Sequence, residues 1–214
     1  MEIYTWLDWL GNPLQMQDPR LRQRDLVNVR ILYDMEGRLL KLEGVDQGTH
    51  WRLYNAGGDE IQRWDSRGFR ISTDYDALSR PIAVWVENAA RRYQAERLEY
   101  GETVDTAGDR NLRGRLINRY DQAGVTQFSR YSLDGNWRTS QRRFCRDYQT
   151  APDWSQNPTL EAESFKTQRF FDALGRLLLL RLPDQRVVRQ LYHASGRVRS
   201  LQYRDGQQYQ PVVN

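Results

Sequence analysis

The sequence predicts an all-β chain: an antiparallel β-meander of hairpins forming a curved sheet strip over residues 1–214, with few short helices. Three observations predict it. A turn motif, aromatic-Asp-x-x-Gly-Arg, recurs along the chain. Neighbouring copies lie about 10–11 residues apart or at double that spacing, and the residues between them alternate apolar and polar as half-buried strands do.

The first copy, Leu7-Asp8-Trp9-Leu10-Gly11-Asn12, has Leu in the aromatic slot, and no capping element precedes it, so the chain is expected to start mid-sheet. Tyr33-Asp34-Met35-Glu36-Gly37-Arg38 is the full motif. Tyr54-Asn55-Ala56-Gly57-Gly58-Asp59, Trp64-Asp65-Ser66-Arg67-Gly68-Phe69 and Tyr75-Asp76-Ala77-Leu78-Ser79-Arg80 follow. Further along come Tyr120-Asp121-Gln122-Ala123-Gly124, Tyr131-Ser132-Leu133-Asp134-Gly135-Asn136, Phe171-Asp172-Ala173-Leu174-Gly175-Arg176 and Tyr192-His193-Ala194-Ser195-Gly196-Arg197.

Each slot has a physical reason. Asp, Asn or Ser at the first turn position can accept from the backbone two residues on, and Gly at the fourth takes a left-handed conformation that a Cβ would penalise. The aromatic is expected to end one strand and the Arg to begin the next, so that rings and guanidinium groups stack from strand to strand. In the intervening stretch Phe69, Ile71, Thr73 and Tyr75 share one face while Arg70, Ser72 and Asp74 share the other; Val27, Val29, Ile31 and Tyr33 form a similar face. Residues 86–113 and 138–166 lack the motif and are expected to be connections, each with a short helical turn. Neither has the Gly/Ser-rich or Pro-rich composition of a flexible linker.

Composition supports a thin sheet over a deep core. Mean hydropathy is −0.84, yet aromatics make up 12% of the chain, which excludes disorder. The 32 basic residues outnumber the 28 acidic ones for a net charge of +4, and only Lys41 and Lys166 are lysines. Asp and Glu are interleaved with the arginines, as in Arg63-Trp64-Asp65-Ser66-Arg67, rather than leaving the basic stripe of a nucleic-acid binder. No nucleic-acid partner is expected.

Catalysis is not expected either. The single cysteine, Cys145, excludes an internal disulfide, and His50 and His193 are too few for a histidine metal centre. Neither histidine is near Cys145 in sequence, so the thiol reads as structural. His193 fills the Asp slot of its repeat and reads as a turn residue. Arg70-Ile71-Ser72-Thr73 bears only a faint likeness to the Arg and Ser-Thr elements of ADP-ribosyltransferases, and its alternation reads as a strand. No cofactor is implied by a phosphate loop, a metalloprotease helix or a nucleophile elbow. No apolar run approaches a membrane span, and the first 30 residues hold no secretory signal, so synthesis in the cytoplasm is expected.

The repeat resembles the Rhs/YD-repeat proteins, which include the B and C subunits of bacterial Tc toxins. The resemblance is carried further by Tyr100-Gly101-Glu102, by Asn111-Leu112-Arg113-Gly114-Arg115-Leu116 leading into Tyr120-Asp121-Gln122-Ala123-Gly124-Val125, and then by Gly135-Asn136, Arg142-Arg143, Arg146-Asp147-Tyr148 and Pro152-Asp153-Trp154. It implies a sheet strip that spirals into the wall of a hollow shell around a toxic effector domain. The chain has neither the family's Asp-Pro-containing, Gly-rich self-cleaving block nor an effector domain, and it is too short to close a shell. It therefore reads as an excerpt, a truncated standalone relative, or a piece that works with a larger partner. The expected role is a non-catalytic shell segment that helps encapsulate or deliver a toxic effector, secreted or delivered as part of a toxin assembly. It would join a larger Rhs/Tc-type shell protein, or further copies of itself, through sheet edges. The alternative is a freestanding module in which Trp6, Trp9, Trp51, Trp64, Trp85, Trp137 and Trp154, with the arginines, bind glycans or acidic polymers.

Overall fold

The computed structural model describes residues 3–22, 24, 26–204, 206 and 208–213. The described residues hold seventeen β-strands, one turn of α-helix and two 3₁₀ turns. The chain divides into two compact units, Met1–Gln94 and Ala95–Asn214.

The first unit carries β1 (Tyr4–Leu7), β2 (Pro13–Gln17), the helical turn α1 (Pro19–Arg22), β3 (Val29–Tyr33), β4 (Leu39–Gly44), β5 (Gly48–Tyr54), β6 (Glu60–Asp65), β7 (Arg70–Tyr75) and β8 (Pro81–Glu87). Each strand pairs antiparallel with the next in sequence, as the short turns require. The expected alternation appears in β3, where Val29, Ile31 and Tyr33 are half-buried while Arg30 and Leu32 are exposed. Ala83 is the one fully buried hydrophobic residue among those described in this unit. The unit is a bare sheet rather than a sheet packed on a core.

The division falls within β9 (Arg92–Tyr100), which in the second unit pairs through residues 97–100 with β10 (Leu116–Asp121). Then follow β11 (Gly124–Tyr131), β12 (Trp137–Phe144), β13 (Phe165–Phe171), β14 (Leu177–Arg181), β15 (Val187–Tyr192), β16 (Val198–Arg204) and β17 (Tyr209–Val213), again paired in chain order.

The strand boundaries correct the two expected connections. Residues 92–100 form the nine-residue β9 inside the 86–113 stretch, and β12 runs on to Phe144 inside 138–166. The turn motif marks where chains reverse, so strands that lead into other kinds of loop carry no motif to announce them. What remains as connection, 101–115 and 145–164, holds one 3₁₀ turn each, at Gly101–Thr103 and Trp154–Gln156. These connections supply the core of the unit. Ala107 and Leu112 from the first are buried with Tyr131 against Val104, Ile117, Phe128 and Trp137. Cys145 and Trp154 from the second are buried with Val125 against Tyr120 and Leu160.

The β10–β11 hairpin is a two-residue reversal, in which Asp121 pairs directly with Gly124. Gly124 has φ 151°, and a Cβ there would lie 2.1 Å from the Arg143 carbonyl oxygen on β12. At Gly11, with φ 88°, a Cβ would meet nothing within 4 Å. Gly11→Ala is therefore expected to cost about 1 kcal/mol from backbone conformation alone, and Gly124→Ala about 3 kcal/mol or more because β11 and β12 must move apart. Urea denaturation of the two variants, followed by far-UV circular dichroism, checks the difference.

Candidate functional site

The sequence-predicted residues converge on rims of turns, and one turn type dominates. In the first unit the turns after β1, β3, β5 and β7 lie along one rim, and in the second the turns after β11, β13 and β15 do so. In the turn after β3, Asp34 Oδ1 accepts from the backbone N–H groups of Glu36 and Arg38, both at 2.9 Å, while Arg38 Nε donates to Oδ2 at 2.6 Å. Asp76 with Leu78 and Arg80, and Asp172 with Leu174 and Arg176, repeat this arrangement. Gly37, Gly58, Gly135, Gly175 and Gly196 all sit at positive φ, as does Ser79 in the Gly slot of its copy. The turn closes with Asp34 N–H donating to the Arg38 carbonyl and Gly37 N–H to the Asp34 carbonyl.

Departures from the motif keep the geometry with other chemistry. Asn12 donates to Asp8 where Arg is absent, and Asn55 donates to Asp59, which stands in the Arg slot. Ser132 Oγ accepts from Asn136 N–H at 3.2 Å. His193 is held by backbone bonds to Gly196 and Arg197.

The aromatic slot links one hairpin to the previous one. Tyr54 Oη donates to the Leu39 carbonyl at 3.1 Å and Tyr75 Oη to that of Glu60 at 2.9 Å, each acceptor being the first residue of the preceding strand. Tyr33 does the same to Pro13, and in the second unit Tyr131 to Leu116 and Tyr192 to Leu177. Guanidinium groups reinforce the link: Arg38 lies 5.1 Å from the Tyr54 ring centroid and Arg176 4.7 Å from that of Tyr192. Phe171 occupies the same offset without a hydroxyl, and Arg169 lies over both its ring and that of Trp137. This tyrosine–carbonyl ladder is invisible to the motif, because the acceptor belongs to another copy.

Two copies fall on the opposite rim of their units, and the first keeps the common turn, Asp65 N–H donating to the Phe69 carbonyl and Gly68 N–H to the Asp65 carbonyl. At Trp64-Asp65 the carboxylate pairs with Arg67, two residues on, and accepts from the N–H groups of Arg67 and Phe69; Gly68 again has positive φ. At Tyr120-Asp121 the acceptor is drawn into a different cluster. Arg142 reaches Asp121 through both terminal nitrogens, at 2.7 and 2.5 Å, and also contacts Thr126. Trp154, 2% exposed, donates its indole N–H to the Asp121 carbonyl and packs edge-on to Tyr120 at 5.0 Å. Arg97 covers the other side of the Tyr120 ring at 4.0 Å and donates to the Trp154 carbonyl and to Asn157. The cluster fastens the 145–164 connection over the β10–β11 hairpin.

In the first unit the register places Trp6, Trp51, Trp64 and Trp85 on one face of the sheet, while Trp9 stands at a turn tip and Trp154 is buried in the second unit. Trp51 and Trp64 stack across β5 and β6 at 5.9 Å with ring planes 11° apart, Trp85 donates to Asp74 under the Arg92 guanidinium, and Trp6 and Trp9 are exposed. Arg70-Ile71-Ser72-Thr73 lies within β7. Among the described residues no group of three or more His, Cys, Asp or Glu side chains could hold a metal ion. Burial pushes the Cys145 thiol up, with Asp121 and Asp147 adding to it against the Arg142 charge, so the thiolate is suppressed.

The chain is 26% identical over 200 residues to the toxin subunit YenC2 of Yersinia entomophaga, an alignment that covers 82% of this chain and 21% of that protein. Among solved structures, TcdB2-TccC3 matches with a TM-score of 0.87 at 25% identity, over 98% of this chain and 11% of that one. The Tc holotoxin pore of Photorhabdus luminescens matches with a TM-score of 0.86 at 24% identity, over 99% of this chain and 11% of that one. The chain thus spans about a fifth of the curated relative and about a ninth of the solved chains. No protein-family model matches the sequence.

Three outcomes are expected. Tyr54→Phe loses a hydroxyl–carbonyl bond and should cost about 1 kcal/mol, whereas Phe171→Tyr places a hydroxyl at the same offset from the Trp137 carbonyl and should gain up to about 1 kcal/mol; urea midpoints check both signs. The Arg80 guanidinium and then its backbone N–H, against a smaller burial effect, hold the Asp76 carboxyl below its ordinary value. A depressed native pKa gives stability that is full above the unfolded value, near pH 4, and is lost as pH falls through the lowered native value. Asp76→Asn should therefore lower the urea midpoint at pH 7, with the gap to the parent chain closing below about pH 4. Cys145 should react slowly with iodoacetamide in the native chain at pH 8 and at least about tenfold faster in urea, read by mass spectrometry.

Proposed function

We propose that the chain is a non-catalytic segment of the wall of an Rhs/Tc-type toxin shell, a YD-repeat strip that helps enclose or deliver a toxic effector. The observation that carries this reading is the ladder linking turn to turn. Five hairpins are tied to their predecessors by a tyrosine–carbonyl bond, with an arginine over the ring in two of them. Such a strip needs little core, can be extended by further copies of the same motif, and presents two open faces, which is what a thin container wall requires. The similarity to a Tc toxin subunit and to Tc assemblies over nearly the whole chain supports it. In this reading the Asp and Arg side chains are committed to turns. The partner is a larger shell chain that continues the wall, and the chain leaves the cell with that assembly.

The reading is tested by replacing the matched 200-residue stretch of YenC2 with this chain and imaging the purified chimera by negative stain. A particle of the same shape and dimensions as that of the parent, imaged alongside, is expected. An open or collapsed particle from a soluble chimera overturns the proposal.

A further inference from the structure

The sheet of the second unit carries its charge unevenly. Strands β12 to β16 each hold at least one arginine or lysine, and none of β12 to β17 holds an aspartate or glutamate. Cross-strand register sets out one face of β13 to β17. Phe170, Leu179, Arg189 and Gln202 stand opposite one another in one row, and Arg181, Val187, Arg204 and Tyr209 in the next. Three arginines therefore share this face. Between residues 165 and 213 the acidic residues are Asp172, Asp184 and Asp205. Asp172 is bonded by Arg176 and Asp184 by Arg186, both within turns, and Asp205 lies outside the described residues. Glu161 and Glu163 stand on the connection before β13.

The same face holds a hollow of about 520 Å³, lined mainly by Phe170, Leu178, Leu179, Leu191 and Tyr209 together with Arg181 and Arg189. Its apolar groups meet solvent: Phe170 and Leu178 are each 38% exposed and Tyr209 36%. Arg181 donates to Gln168 at 3.4 Å, while Arg189 and Arg204 lie 5.8 and 5.2 Å from the Tyr209 ring centroid. None of the three arginines pairs with a carboxylate among the described residues. Like charges on neighbouring strands repel, and an anionic partner relieves that repulsion.

We infer that this hollow is a docking site for an acidic peptide segment of a partner protein, one bulky apolar side chain seated among Phe170, Leu179 and Leu191 and carboxylates facing Arg181, Arg189 and Arg204. The charge selects an anion, and the hollow selects an apolar group beside it. The backbones at Arg181 and Arg204, two strands apart, stand about 9–10 Å from each other, and alternate residues of an extended peptide are about 7 Å apart, so carboxylates on flexible stems reach both. Sugars and bases fit the hollow less well. Gln190 is its one neutral amide, and Arg189 and Arg204 already lie over the Tyr209 ring on which a sugar or base would stack. The site lies wholly within the second unit and does not depend on the shell reading.

The test is isothermal titration calorimetry of the full chain with a short peptide that carries one leucine between glutamates, beside Arg189→Glu in the hollow and Arg113→Glu on the 101–115 connection. Both side chains are exposed, so both variants should keep the parent's circular dichroism. The parent is expected to bind with a Kd below about 1 mM, more weakly as salt rises. Arg189→Glu should bind at least about tenfold more weakly, while Arg113→Glu, with the same change in net charge, should stay within about twofold of the parent. A peptide with serine in place of the leucine should bind the parent at least about fivefold more weakly. No binding up to about 1 mM peptide, an equal loss in both variants, or indifference to the leucine each overturns the inference. So does an oligothymidylate that binds the parent more tightly than the peptide and loses affinity in Arg189→Glu.

Discussion

The sheet depends on the bond from a strand-ending tyrosine hydroxyl to the carbonyl that opens the strand before it. A bare antiparallel sheet has few buried apolar contacts, and in the first unit the largest fully buried hydrophobic side chain is a methyl group, that of Ala83. Ordinary hydrophobic stabilisation is therefore weak there. A hydrogen bond worth about 1 kcal/mol, repeated at five hairpins and sheltered by an arginine at two, becomes a leading contribution. It also fixes register: a one-residue slip would carry Tyr54 away from the Leu39 carbonyl and turn its ring to the other face.

The aspartates serve the tyrosines. By accepting two backbone N–H groups of its own turn, Asp34 or Asp76 sets the loop length, and the loop length places the next strand at the offset the tyrosine needs. Register shifts of one residue recur beside these turns, immediately before Tyr33, Tyr54, Tyr75 and Tyr192. The Arg–Asp pairs of these turns are half-buried, and beyond their charge they orient the guanidinium toward the neighbouring turn. Arg38 shows this, bonded to Asp34 while its terminal nitrogen approaches the space beside Gly58.

The second unit solves the same problem differently where the repeat stops. Its long connections fold back and bury Leu112 and Trp154, giving local cores that the repeat does not provide. Asp121 shows how context reassigns a motif residue. Its carboxylate goes to Arg142 on β12, far in sequence, and its carbonyl to the Trp154 indole. Burial raises its pKa, but the Arg142 bond leads the effects that bring it below the ordinary range, so the pair stays ionised.

The sequence by itself determined the all-β meander and its reversals, because turn residues act through bonds within five positions and alternation acts within one strand. Asp34, Gly37 and Arg38 are legible for that reason. The strands β9 and β12 were not legible, since they end in connections without the motif. Nor was the fate of Asp121, which shares the motif of Asp76 but pairs with Arg142 on β12 rather than with an arginine of its own turn. Tertiary structure alone decided which carbonyl each tyrosine reaches, which connection buries Trp154 and Cys145, and which turn tips stand exposed. Each depends on strands brought together from 15 or more residues apart, a separation at which local side-chain chemistry no longer specifies its partner.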